Sequence, residues 1–140
     1  MKTLGIDVGS SSVKVSLLDV ATGECAGAVT LPSAEMPIDA PQPGWAEQDP
    51  RMWWNYVREG VRTLVARAGG AGAVKAIGIT YQMHGLVCLD EAGEPLRKSI
   101  IWCDSRAVEI GDRAFDALGH DRCLERLLNS PGNFTASKLA

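Results

Sequence analysis

Gly5-Ile6-Asp7-Val8-Gly9-Ser10-Ser11-Ser12-Val13-Lys14 is the stretch whose reading decides the fold. Apolar residues alternate with small or polar ones on either side of its turn: Leu4, Ile6 and Val8 before, Val13, Val15 and Leu17 after. That is the period-2 pattern of half-buried strands. A third apolar stretch, residues 25–31, follows a second turn at Thr22-Gly23-Glu24, so three strands joined by two tight turns are expected. The turn Asp7-x-Gly9-Ser10-Ser11-Ser12-x-Lys14 can offer successive backbone N–H groups and three hydroxyls to a phosphate, with the Asp7 carboxylate pointing at the same place. A carboxylate beside a phosphate makes sense where Mg²⁺ bridges the two, usually through water, because the bare anions repel. On these residues alone, a Gly-Ser hairpin with a solvated aspartate fits as well. Other phosphate cradles are excluded: Gly69-Gly70-Ala71-Gly72-Ala73-Val74-Lys75 lacks the glycine before lysine and the hydroxyl residue after it, and no G-x-G-x-x-G occurs.

Downstream, residues 31–48 carry Pro32, Pro37, Pro41, Pro43 and Gly44, which predicts an irregular surface arm, since each proline removes a backbone donor. Asp49-Pro50 supplies an N-cap and a first helical proline. Trp53, Tyr56, Val57, Val61, Leu64, Val65 and Ala68 then follow at helical spacing up to the stop at Gly69-Gly70. Trp45, Trp53 and Trp54 read as structural, the last two opening a helix whose face needs apolar cover. Residues 74–81 form a short apolar run of the kind buried on both sheet faces, which puts Gln82-Met83-His84-Gly85 at a strand's carboxyl end. Residues 86–89 and 95–102 flank the turn Asp90-Glu91-Ala92-Gly93 as a hairpin would. Asp104 or Ser105 can cap a helix running to about residue 118 and closed by Gly119. A short amphipathic helix over 121–128 and a new element from residue 134 complete the pattern.

With 140 residues, 46% hydrophobic and 22% charged, the chain has room for one core and one domain. A net charge of -3 argues against a nucleic-acid partner, which needs clustered Lys and Arg. No apolar run approaches the roughly 18 residues of a membrane span, and Asp7 interrupts the first apolar stretch, so neither a signal peptide nor a membrane anchor is expected. Cys25, Cys88, Cys103 and Cys123 stand singly, without a C-x-x-C pair, and read as reduced thiols of a cytoplasmic protein.

The opening motif is similar to the first phosphate motif of the actin-like ATPases, and three further segments narrow the likeness. Gly44-Trp45-Ala46-Glu47-Gln48-Asp49-Pro50 with Trp53-Trp54, then Gln82-Met83-His84-Gly85, then Ile101-Trp102-Cys103-Asp104-Ser105-Arg106, resemble in that order the amino-terminal part of the FGGY carbohydrate kinases. The Gln-Met-His-Gly tetrapeptide resembles the xylulokinase branch most, and the likeness continues through residues 133–139, so it covers essentially the whole chain.

This resemblance implies an α/β domain of the actin-like ATPase (ribonuclease H-like) fold, with a mixed sheet that begins as an antiparallel three-strand meander and is incomplete at its carboxyl end. Residues 1–140 would be the amino-terminal part of the first, sugar-binding domain. The second domain, the catalytic base and the adenosine pocket would lie outside the chain, leaving it inactive alone and with exposed apolar surface that favours self-association. The implied activity of the full-length protein, a homodimer, is ATP-dependent phosphorylation of a sugar, D-xylulose to D-xylulose 5-phosphate. Asp7 would act catalytically by holding the Mg²⁺ of ATP, while Gly9, Ser10, Ser11, Ser12 and Lys14 contact the terminal phosphates. Gln82, Met83 and His84 would line the sugar pocket, with Trp102, Asp104 and Arg106 beside it. His84 and Asp104 suit a sugar as hydrogen-bonding groups, and Met83 and Trp102 as an apolar wall. Duller roles remain open: Met83 and Trp102 in a core, His84 a satisfied loop histidine, Asp104 a helix cap. One departure stands out, because the residue before Gln82 is usually glycine in the xylulokinase pattern and here it is Tyr81. Two other functions stay in view: a non-catalytic sugar-binding or regulatory module, and a structural actin-like protein that polymerises.

Overall fold

In chain order the elements are β1 (Lys2–Val8), β2 (Val13–Asp19), β3 (Cys25–Leu31), β4 (Glu47–Gln48), α1 (Pro50–Arg67), β5 (Val74–Tyr81), β6 (Ser99–Ile100), α2 (Val108–Leu118), α3 (His120–Leu127) and α4 (Thr135–Leu139). They come from a computed structural model that describes residues 1–140. Two compact units result, one formed by Met1–Pro37 with Pro50–Gln82, the other by Ile38–Asp49 with Met83–Ala140.

The first unit is the expected meander with a parallel strand added. β1 and β2 pair antiparallel with Ile6 opposite Val15 and Asp7 opposite Lys14, and β2 pairs antiparallel with β3. β5 joins β1 in parallel, giving the mixed order β3-β2-β1-β5. Because side chains alternate across a strand, Leu4, Ile6, Val13, Val15 and Leu17 share one face, and there they are buried with Leu64 of α1. Helix and sheet approach so closely that a Cβ on Gly60 would stand 2.6 Å from Val15 Cγ2. Trp53 packs on this core, but Trp54 points outward and is exposed, since neighbouring helical residues project about 100° apart.

Two expectations for this unit need correction. The first part of the proline-rich arm is not all surface: Met36 is buried in the core and its N–H donates to the Ser11 carbonyl at 2.9 Å. The run over 74–81 is a strand but is not buried on both faces. Ile77 and Ile79 lie opposite Leu4 and Ile6, on the face that α1 covers elsewhere; α1 packs mainly on β2, β3 and β1, and of β5 only the start, at Val74, joins this core. Ile79 is therefore 66% exposed and Tyr81 70%.

In the second unit the end of the arm becomes structural. β4 pairs antiparallel with β6, burying Glu47 and Gln48 against Ser99 and Ile100. The hairpin expected over 86–102 is reduced to isolated bridges, Leu86 with Ile100 and Leu89 with Pro95, because Pro95 has no N–H to extend the ladder. Its turn forms as expected, with Asp90 Oδ1 accepting the N–H groups of Ala92 and Glu94. Neither Asp104 nor Ser105 caps α2: Ala107 occupies the N-cap without a side-chain bond, and Asp104 is engaged elsewhere. Gly119, at φ 89°, ends α2 as anticipated. No helix is long and apolar enough to cross a membrane.

Candidate functional site

The turn between β1 and β2 closes through the Gly9 N–H, which donates to the Ser12 carbonyl at 3.1 Å. That amide is thus engaged within the turn. What Gly9 contributes is room, since a Cβ there would stand 3.0 Å from the Ser12 oxygen. Asp7, last but one in β1, and Lys14, second in β2, are cross-strand partners whose charged ends lie 3.8 Å apart and open to solvent. Ser10, Ser11 and Ser12 lie between them. No cluster of three or more His, Cys, Asp or Glu side chains is gathered for a metal. Asp7 alone suits Mg²⁺ that arrives with a nucleotide, because such an ion is held by one or two carboxylates, phosphate oxygens and water.

Where β5 ends, the Gln82 N–H donates to the Val8 carbonyl at 2.9 Å, fixing this residue beside the close of β1. Its side-chain amide is buried and neither its oxygen nor its nitrogen has a hydrogen-bond partner. Buried polar groups are rarely left unpaired, so an orphaned amide marks a place where a ligand or water completes the structure.

In the second unit, Met83 is 66% exposed and Trp102 50%, so neither is a core residue. His84 has φ 61°, in the left-handed region, and its ring stacks on Phe134 with centroids 4.6 Å apart.

Asp104 and Arg106 are engaged with each other in a mostly buried ion pair. Arg106 Nε lies 2.9 and 3.0 Å from the two Asp104 oxygens, its Nη2 is 2.7 Å from Asp104 Oδ2 and from Glu47 Oε1, and the guanidinium lies 3.6 Å over the Trp45 ring. Asp104, wholly buried, also accepts the Ala46 N–H at 2.6 Å. Burial pushes the Asp104 carboxyl up, but the Arg106 and Ala46 hydrogen bonds outweigh it and hold the group below its ordinary value. Burial likewise acts to lower Arg106, and the two carboxylates hold it above. The pair is a brace joining residues 45–47 to residues 104–106, and that is where the structure places these two residues, expected beside a sugar pocket. Glu47 and Lys138 were not singled out from sequence. Glu47 lies inside the Gly44–Pro50 segment, and Lys138 is a lone cation among small and apolar residues, which is the available signal.

Residues 2–140 match the model of the FGGY family of carbohydrate kinases, N-terminal domain. The chain belongs to that family. This FGGY chain is 37% identical over 136 residues to the xylulose kinase of Escherichia coli (strain K12) and 36% identical over 136 residues to that of Klebsiella pneumoniae. Each alignment covers 97% of this chain and 27% of the relative, so the chain spans about a quarter of their length. Its structure is similar to that of a xyloylose kinase from Brucella ovis, with a TM-score of 0.83 and 33% identity, covering 99% of this chain and 28% of that one. The fold of this FGGY domain is accordingly the actin-like ATPase α/β fold, with the mixed sheet and antiparallel start described above. FGGY kinases use ATP and typically a divalent metal.

Proposed function

We propose that this chain is the amino-terminal part of an ATP-dependent sugar kinase acting on D-xylulose or a closely similar ketopentose, with D-xylulose 5-phosphate as product. The observation that carries the reading is the solvent-exposed Asp7 carboxylate at the mouth of the Gly9–Ser12 turn, paired across the strands with Lys14 at 3.8 Å. Family membership and the xylulose kinases among the relatives support a sugar as acceptor. The intact enzyme is proposed to work in the cytoplasm as a homodimer. Its remaining chain would supply a second domain with the adenosine pocket and the base that takes the sugar hydroxyl proton.

Phosphoryl transfer depends on positioning and charge stabilisation more than on covalent chemistry. In this reading the hydroxyls of Ser10, Ser11 and Ser12 donate to the terminal phosphate oxygens, and Lys14 adds a positive charge on the same side. Asp7 would hold Mg²⁺, which would supply neutralisation of the charge spread over the phosphates. His84 offers a hydrogen bond to a sugar hydroxyl, while Met83 and Trp102 give the sugar an apolar wall. Asp104 and Arg106 serve this site by holding the Trp102 loop.

Asp7→Ala in the intact enzyme is expected to lower kcat about 100-fold or more, the usual scale for losing one electrostatic stabiliser, with little change in sugar affinity. ADP release measured across ketopentoses, aldoses and polyols checks both acceptor and residue. Near-normal phosphorylation by Asp7→Ala would refute the metal role. Tight sugar binding without ADP release would favour a non-catalytic binding module instead, and nucleotide-driven filaments a polymerising protein.

A further inference from the structure

Lys138 of α4 is only 8% exposed, an unusual place for an ammonium. Its Nζ donates to two backbone carbonyls, that of His84 at 2.8 Å and that of Asn133 at 3.1 Å. Burial pushes this ammonium below its ordinary value, and Asp104 nearby pulls it back up. A group that only filled space would be better apolar, because a buried cation must be offset by strong partners. What those partners hold is informative. The carbonyl it binds belongs to His84, whose left-handed backbone is costly for any residue but glycine and persists only where neighbours over-determine it. Next to it, Thr135 Oγ1 donates to the Gly85 carbonyl at 3.2 Å, and Phe134 stacks on the His84 ring. The Asn133 side-chain amide, in turn, donates to the Trp102 carbonyl.

We propose that Lys138 is a positioning residue for His84: its ammonium ties the His84 and Asn133 carbonyls together, fixing the imidazole on Phe134 in the one orientation a polyhydroxylated substrate meets. Through Asn133 the same ammonium is connected to the Trp102 loop, so one cation sets both the hydrogen-bonding group and the apolar wall. This inference rests on the sugar-site reading of His84, and its test separates the two.

The chain has two histidines, and His120 is also stacked on a phenylalanine, Phe115, at 3.9 Å, so it serves as an internal reference. In Lys138→Met, histidine-selective NMR of the chain should show the His84 ring signals moving to the values of an unstacked imidazole while those of His120 stay in place. The intact enzyme carrying Lys138→Met should show the sugar KM raised about tenfold, the effect of losing one charge-assisted hydrogen bond, with the ATP KM unchanged. Lys138→Arg, which keeps the charge and the donors, should restore much of both. If Lys138→Met fails to fold, seen as loss of the His120 signals, Lys138→Gln is read in the same way. Unmoved His84 signals in a folded neutral variant would overturn the positioning role. Displaced His84 signals with an unchanged sugar KM would support it and overturn the placing of His84 in the sugar site.

Discussion

Arg106 is held on three sides, by the Asp104 carboxylate, by Glu47 and by the face of Trp45. A planar guanidinium can satisfy all three at once and a lysine cannot, which makes this position one for arginine. Removing one partner leaves charge without compensation in a buried place, so Asp104→Asn should destabilise the fold by about 3 kcal/mol, read from the denaturant midpoint. The same pair sets an acid response. The Asp104 carboxyl is held below its ordinary 3.8 in the folded chain, so the unfolded chain binds its proton first as pH falls. Its contribution is complete well above pH 3.8 and is lost as pH drops through the folded value, and melting of Asp104→Asn should be flatter than wild type across that acid limb.

α1 shows how one element anchors the first unit. Leu64 is fully buried against the sheet, and Leu64→Ala should cost about 3 kcal/mol, from lost transfer energy plus the cavity left behind. Gly60 makes the opposite argument. Alanine is the better helix former by about 1 kcal/mol, yet its Cβ would stand 2.6 Å from Val15 Cγ2 and 3.4 Å from Val29 Cγ2. Strain from overpacking wins, and Gly60→Ala should lower stability by about 1 kcal/mol net, seen as a lower urea midpoint at unchanged slope.

For the whole molecule, the largest consequence lies along β5. Its outer edge has no strand beside it, and Ile77, Ile79 and Tyr81 extend the apolar face of the sheet beyond the cover of α1. Exposed apolar edge strands pair with other chains unless a charge interrupts them. The 140-residue chain should therefore self-associate with rising concentration in sedimentation velocity, and Ile79→Lys should shift it toward monomer. A monodisperse wild-type monomer with a cooperative melt would count against this.

The sequence by itself determined the meander, α1 and the turn at Gly9–Ser12, because alternation, helical spacing and turn residues are local signals that burial of one face then enforces. It also made the Gln82–Gly85 cluster legible at a strand end, since a strand boundary follows from where the apolar run stops. Tertiary structure alone decided the rest. Whether residues 74–81 are buried depends on which elements cover that strand, and beyond Val74 it stays exposed because α1 packs mainly on the other three strands. Whether Asp104 meets a substrate, caps a helix or braces a loop depends on Ala46 and Glu47, more than fifty residues earlier in the chain. Lys138 became informative only when folding brought it to the His84 carbonyl, because no local pattern records a hydrogen bond across 54 residues.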